Sequence, residues 1–196
     1  MKSKQEIRKQ IRSQRRSLSQ YDKNQTSAAL FHHFSKHPIF KKSKHIAAYI
    51  SNDGELDLFP LMRHTQQLRK QLYLPTVHAP SFKHMWFAPF TKNTSFQDNR
   101  YGIPEPVCAI PQLKKARQLD LVLMPLVAFD NLGNRIGMGG GYYDRTFAYL
   151  KSRTHWKRPL LVGVAYDFQE IEHIPSDPWD VPIDGIVTET RFMRFR

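Results

Sequence analysis

The sequence predicts an α/β fold with a mostly parallel central sheet. Three observations carry that expectation. Short, nearly uncharged apolar runs recur at residues 45–50, 121–127 and 160–166, the pattern of strands buried on both faces. Stretches with apolar residues at helical spacing lie between the strand runs, as the winding of a parallel sheet requires. The run at 121–127 is followed by turn chemistry and a glycine cluster, Arg135-Ile136-Gly137-Met138-Gly139-Gly140-Gly141, and open α/β sheets hold ligands beyond the carboxyl ends of their strands.

Residues 1–196 read as a single domain, because 196 residues suffice for a substantial core and no linker, repeat or low-complexity tract divides them. With 40% hydrophobic and 12% aromatic residues the chain is globular, not disordered. No apolar run approaches the length of a membrane span. The arginine-rich N-terminal stretch lacks the apolar segment of a secretory signal, and Glu6 opposes reading it as a transit peptide. One cysteine, Cys108, leaves no internal disulfide and fits a reducing compartment, so a cytoplasmic location is expected. The formal net charge of +13 favours anionic partners, either nucleic acid or a small polyanion, and charge alone does not separate the two. No RRM, KH or helix-turn-helix signature supports an RNA-binding module built on the basic first helix. An enzyme handling sugar phosphates or CoA on a similar topology is a further alternative.

Taken in order, Ser3 and Glu6 form a capping box that opens a helix with Ile7, Ile11 and Leu18 on its apolar side. Arg8, Arg12, Arg15 and Arg16 fill much of the rest and read mainly as a solvated basic face. Ser19 and Asp22 open a second helix, with Leu30, Phe31 and Phe34 as its core side and Pro38 closing it. His32, His33 and His37 point different ways around it and are assigned to the surface. The strand at 45–50 ends in the turn Ser51-Asn52-Asp53-Gly54. Glu55, Leu56 and Asp57 then start a helix carrying Leu61, Met62 and Leu68, which makes Glu55 either a ligand contact at a strand end or a first-turn carboxylate. Strands follow at 71–77 and 85–88, where Trp86 reads as a core residue, and residues 101–106 form a rigid connector. The strand at 121–127 leads through Phe129-Asp130-Asn131-Leu132-Gly133-Asn134 to the glycines and then to a helix with Tyr143, Phe147 and Leu150 on one side. Strand, glycine loop and helix start form the layout of a phosphate site, with Arg135 and Arg145 as flanking cations. The spacing is neither a P-loop nor a dinucleotide fingerprint. The last short strand is placed at 185–188, and the tail at 191–196 carries no signal.

The run PLVAFDNLGNRIGMGGGYYDR, residues 125–145, resembles the signature of the 5-formyltetrahydrofolate cyclo-ligase family. Three more landmarks of that family follow the same order: Lys4 and Arg8 on the first helix, Gly54-Glu55 in the turn, and the segment Trp179 to Asp184. The resemblance implies a three-layer α/β/α sandwich. It also implies ATP- and Mg²⁺-dependent cyclisation of 5-formyltetrahydrofolate through an iminium phosphate, with ADP and phosphate released. ATP would lie on Lys4, Arg8, Arg135, Gly137, Met138, Gly139, Gly140, Gly141, Tyr142 and Tyr143, with Arg135 and Arg145 serving the phosphoryl transfer. The folate, bearing one or several glutamates, would meet Arg8, Ile50, Glu55, Gly141 and Tyr142. Asp144 and Asp180 would hold the magnesium. A monomer with no nucleic-acid partner is expected on this reading.

Overall fold

The computed structural model describes residues 2–77, 84–99, 102–152 and 158–195. Helix α1 (Lys4–Ser17) starts on the expected capping box: Ser3 Oγ accepts from the Glu6 N–H at 3.2 Å, and Glu6 Oε2 accepts from the Ser3 N–H at 2.7 Å. Helix α2 (Gln20–Phe34) has half of such a box, because Asp22 Oδ2 accepts from the Ser19 hydroxyl and not from its backbone. It stops at Phe34, short of the expected end. Pro38 opens a separate short helix, α3 (Pro38–Lys42), as a proline without an N–H suits a first turn. The histidines are not all on the surface. His33 Nε2 lies 2.8 Å from the Thr188 carbonyl, and His37 accepts from the Ile39 N–H to cap α3.

Strand β1 (His45–Ala47) is shorter than expected. It is followed by α4 (Phe59–Gln67), not by a helix from Glu55. Pro60 explains the difference, since a helix begun at Glu55 would bury a proline beyond its first turn. Asp57 Oδ1 accepts from the Phe59 N–H at the true start, and Leu68 lies past the end and is exposed. Strands β2 (Gln71–Thr76), β3 (Trp86–Pro89), β4 (Ser95–Asp98) and β5 (Pro104–Val107) come next. The expected connector is thus largely β5, paired with β4, while Tyr101 lies outside the described residues. Trp86 is only partly buried, with Lys115 Nζ 5.5 Å from its ring centre. The chain continues through β6 (Leu121–Pro125), the short hairpin β7 (Ala128–Phe129) and β8 (Arg135–Ile136), α5 (Tyr142–Phe147), β9 (Leu160–Val164) and β10 (Gly185–Val187). The tail forms an edge strand, β11 (Phe192–Arg194), that sequence pattern did not signal.

The main sheet runs β11-β10-β9-β6-β1-β2-β3. Its five inner strands are parallel, and β3 and β11 close the edges antiparallel. Alternation along β6 assigns the two faces: Leu121 and Leu123 join Leu30, Phe34, Phe40 and Leu61 from α2 to α4, whereas Val122 and Met124 join Phe147 of α5 and Ile183. These are the three expected layers, with a thinner second helical layer. Helix α1 lies apart from both, packing Ile7 and Ile11 on Val127, Ala128 and Ile136 at the hairpin. Among the described residues no helix is long and apolar enough to cross a membrane.

Gly163 sits mid-sheet in β9, where an added Cβ would come within 2.6 Å of both Ile186 Cδ1 and Leu126 Cδ2. Gly163→Val should therefore lower stability by about 1–3 kcal/mol, as overpacking of a filled core does. Thermal unfolding checks this, and a melting temperature within about one degree of the parent would contradict the packing.

Candidate active site

Strand order reverses between β1 and β6, since the chain builds outward from β1 through β2 on one side and from β6 through β9 on the other. The carboxyl ends of these two neighbours open the crevice in which such sheets bind ligands. One wall is the turn after β1. Asp53 and Gly54 both take positive φ, 52° and 72°, and a Cβ on Gly54 would lie 2.9 Å from the Arg15 carbonyl oxygen. Only glycine allows that approach of the turn to α1. Three arginines of α1 converge on Asp53: Arg12 Nε at 2.6 Å, Arg15 Nη2 at 2.8 Å, and Arg16. Burial alone would raise the Asp53 carboxyl, but hydrogen bonds from Arg12, Arg16 and Arg15 outweigh it and hold the group down at about 2.

Glu55 follows two residues later and is not in a helix, so the first-turn reading of this carboxylate does not hold. Its Oε2 accepts from the Asn52 N–H at 3.1 Å, and its Oε1 lies 3.9 Å from Arg15 Nη1. Burial pushes Glu55 up to about 7, against the opposing pull of the Asn52 N–H and Arg15. Tyr49 and Tyr143 lie close enough to Glu55 for its charge to add to the upward push that burial gives their hydroxyls. Ile50, the other expected folate contact, is partly buried against the core cluster on the α2 side of the sheet.

The second wall is the glycine loop. Asp130, fully buried, ties the hairpin beneath it by accepting from the N–H groups of Leu132, Asn134 and Ile174. Arg8 Nε donates to the Gly137 carbonyl at 2.8 Å, which joins α1 to the loop. Gly139 and Gly141 take φ of +98° and +63°. Met138 is half exposed, and no described residue accepts from the N–H groups of Gly139, Gly140 or Gly141. Arg145 curls back over the loop, with its guanidinium 4.9 Å from the Tyr142 ring centre and Nη1 2.7 Å from where a Gly141 Cβ would stand. The following helix, α5, has only six residues, so the free N–H groups here are the loop's own and not the end of a long helix dipole.

Arg135 departs from the expected pair of flanking cations. Its side chain is buried, donates to Asp144 Oδ1 at 2.9 Å and directs Nε to the Met124 sulfur. Asp144 Oδ1 also accepts from the Val181 N–H at 3.1 Å, which brings Asp180 beside it. Asp180 Oδ2 accepts from the Asp177 N–H at 2.9 Å and from Lys4 Nζ at 3.3 Å, and Lys4 reaches Asp177 at 2.7 Å. Contacts therefore link Lys4, Arg8, the loop, Asp144 and Asp180, while Glu55 lies on the turn after β1, near Tyr143 of α5.

Among the described residues no three His, Cys, Asp or Glu side chains form a metal cluster. Asp144 and Asp180 each retain one carboxylate oxygen without a described protein partner. Two such oxygens fit a magnesium ion whose other ligands come from nucleotide phosphates and water.

The sequence reading missed Arg15, Asp53 and Asp177. Arg15 is 1% exposed, the reverse of a solvated face. A signal was present, because Arg15 continues the stripe of Ile7 and Ile11 at intervals of four, the buried side of the helix.

The model of the 5-formyltetrahydrofolate cyclo-ligase family matches residues 1–189. A 5-formyltetrahydrofolate cyclo-ligase of Haemophilus influenzae is 34% identical over 184 residues, covering 94% of this chain and 96% of that protein. One of Escherichia coli K12 is 34% identical over 181 residues, covering 92% and 97%. The solved structure of Aquifex aeolicus 5,10-methenyltetrahydrofolate synthetase superposes with a TM-score of 0.83 at 35% identity, covering 98% of this chain and 93% of that one.

The raised Glu55 carboxyl has a consequence for stability. Between its ordinary 4.5 and about 7 the folded protein keeps a proton that the unfolded chain has lost. The stability this contributes is full below 4.5 and lost as pH rises through about 7. Glu55→Gln removes the effect. The ligand-free variant should melt close to the parent near pH 5 and a few degrees above it near pH 8, roughly the effect of 1–2 kcal/mol in a chain this long. Equal differences at both pH values would show that Glu55 is not held protonated by burial.

Proposed function

The chain belongs to the 5-formyltetrahydrofolate cyclo-ligase family, and from that premise we propose that it cyclises 5-formyltetrahydrofolate to 5,10-methenyltetrahydrofolate using ATP. What supports this reading is that a basic glycine loop and the buried carboxylate Glu55 stand beyond the carboxyl ends of the neighbouring strands β6 and β1. A formamide oxygen is a poor leaving group. Transfer of the terminal phosphoryl of ATP to that oxygen gives an iminium phosphate and ADP. N10 of the folate then attacks the activated carbon and loses its proton to water, and phosphate leaves with the C–O bond electrons.

Such a reaction asks the protein for position and charge, not for a nucleophile. The N–H groups of Gly139 to Gly141 would cradle phosphate oxygens, and Arg8 and Arg145 would neutralise them from either side of the loop. Arg135 acts differently. Its ion pair with Asp144 holds that carboxylate in place beneath the loop. Magnesium would be held by Asp144 and Asp180 and would screen charge on the phosphates. Glu55 would accept hydrogen bonds from the N–H groups of the pteridine, beside Ile50. Tyr142 and Tyr143, at the junction of loop and α5, would lie between the two substrates.

Mixing the protein with Mg-ATP and 5-formyltetrahydrofolate tests the reading directly, since the methenyl product has its own near-ultraviolet absorbance. Absence of product, with ATP intact, would overturn it. Gly139→Val forces a β-branched residue to φ near +98° and should cut kcat/KM for ATP about tenfold or more, leaving folate affinity nearly unchanged. An unaltered ATP dependence in the folded variant would move the phosphates elsewhere. Asp180→Asn should raise the magnesium concentration needed for half-maximal rate several-fold, and an unchanged requirement would remove Asp180 from the metal site.

A further inference from the structure

Arg15 has no role in the reading above, yet it is among the largest side chains fully buried in the molecule. It enters from the apolar stripe of α1 and ends under the crevice floor. Nη2 binds Asp53 at 2.8 Å, and Nη1 donates to the Leu126 carbonyl at 3.3 Å, at the carboxyl end of β6. The same Nη1 lies 3.9 Å from Glu55 Oε1, with the two side chains 1% and 11% exposed. Nε has no acceptor among the described residues. A buried guanidinium with an unused donor is a poor device for stability, because desolvating it costs more than incomplete pairing returns. Its placement serves the carboxylate instead.

We propose that Arg15 is a positioning residue for the folate acceptor: from behind the turn it orients the Glu55 carboxylate and favours its anionic form against the burial that opposes it. The inference rests on the assignment of Glu55 to the folate. The Asn52 N–H also favours the anion, but as a dipole and not as a full charge. Asp53, two residues away, adds a like charge, and the Tyr49 and Tyr143 side chains close the space from the end of β1 and from α5. Tyr166, beyond β9, and Arg135, on β8, are further off, facing Tyr49 and Tyr143. Arg15 is the cation that meets Glu55 directly, and it is shared with Asp53. The turn therefore contains a competition: Asp53 draws on the same guanidinium that favours the Glu55 anion, while Arg12 and Arg16 supply Asp53 with cations of its own.

The competition predicts shifts of opposite sign. Affinity of the full-length protein for 5-formyltetrahydrofolate, without ATP, is measured by calorimetry across about pH 5.5 to 8.5. In the parent, binding should strengthen as pH rises through the titration of Glu55. Arg15→Met removes the facing cation, so the midpoint should move up by about one pH unit or more, which weakens binding near neutrality about tenfold and leaves it near normal at high pH. Asp53→Asn frees Arg15 for Glu55, so the midpoint should move down. Arg15→Lys keeps the charge and should keep the midpoint close to the parent's, which provides a reading if the methionine variant does not fold. A role in folding alone would weaken binding equally at all pH values, and an unmoved midpoint in Arg15→Met, or in Asp53→Asn, overturns the proposal. Glu55→Gln separates the two readings: it should bind weakly with no dependence on pH in this range. If it keeps the parent's profile, Glu55 is not the folate acceptor, and the role of Arg15 falls with it.

Discussion

The site depends on one ionic arrangement, the burial of Arg15 against Asp53 and the end of β6. A guanidinium in the interior must find oxygen partners, and these come from the turn after β1 and the end of β6, neighbouring strands where the sheet changes direction. These contacts therefore tie α1 to the end of β6 and draw the turn of residues 51–55 onto the helix. Gly54 completes the contact by allowing backbone to meet backbone at a distance that a Cβ would forbid. Without this junction the first helix would be held by Ile7 and Ile11 on the hairpin, by Arg8 on the Gly137 carbonyl and by Lys4 on Asp177 and Asp180.

Once α1 is fixed, the remaining contacts follow along it. Arg15 addresses the turn near one end of the helix, Arg8 the Gly137 carbonyl midway, and Lys4 the Asp177–Asp180 segment at the other. These three positions lie on segments far apart in sequence, and the helix aligns them over one crevice. The hairpin β7–β8, tied by its buried Asp130, gives the glycine loop a hydrogen-bonded base. The Arg135–Asp144 pair adds a second anchor under the loop.

The positive charge of the chain is distributed unevenly around this plan. Arg12, Arg15 and Arg16 are matched by Asp53, Lys4 by Asp177 and Asp180, and Arg135 by Asp144. Arg8 uses Nε on the protein and directs Nη2 toward Gly139, and Arg145 lies over Tyr142 beside the loop. The cations offered to an anion at the loop are thus few and placed. A formal charge of +13 gives no hint of that, because most of it lies elsewhere or is already paired.

The sequence by itself determined the α/β class, the apolar strand runs, the capping box of α1, and the glycine loop with its motif. Each of these rests on contacts between residues near in the chain, or on a periodicity that any packing must respect. Even a misplaced boundary was legible, since Pro60 marks where α4 can begin. Tertiary structure alone decided which arginines are solvated and which are buried, and which carboxylates pair with them. Arg135 and Arg145 look alike on either side of the loop, yet one is buried on Asp144 and the other is open. Glu55 became a shielded acceptor with a raised pKa because α1, α5 and the end of β1 close around it. The ionisation of a carboxylate is set by everything within a few ångströms, and for Glu55 those neighbours come from residues as distant as Arg15 and Tyr143, whose meeting no local pattern encodes.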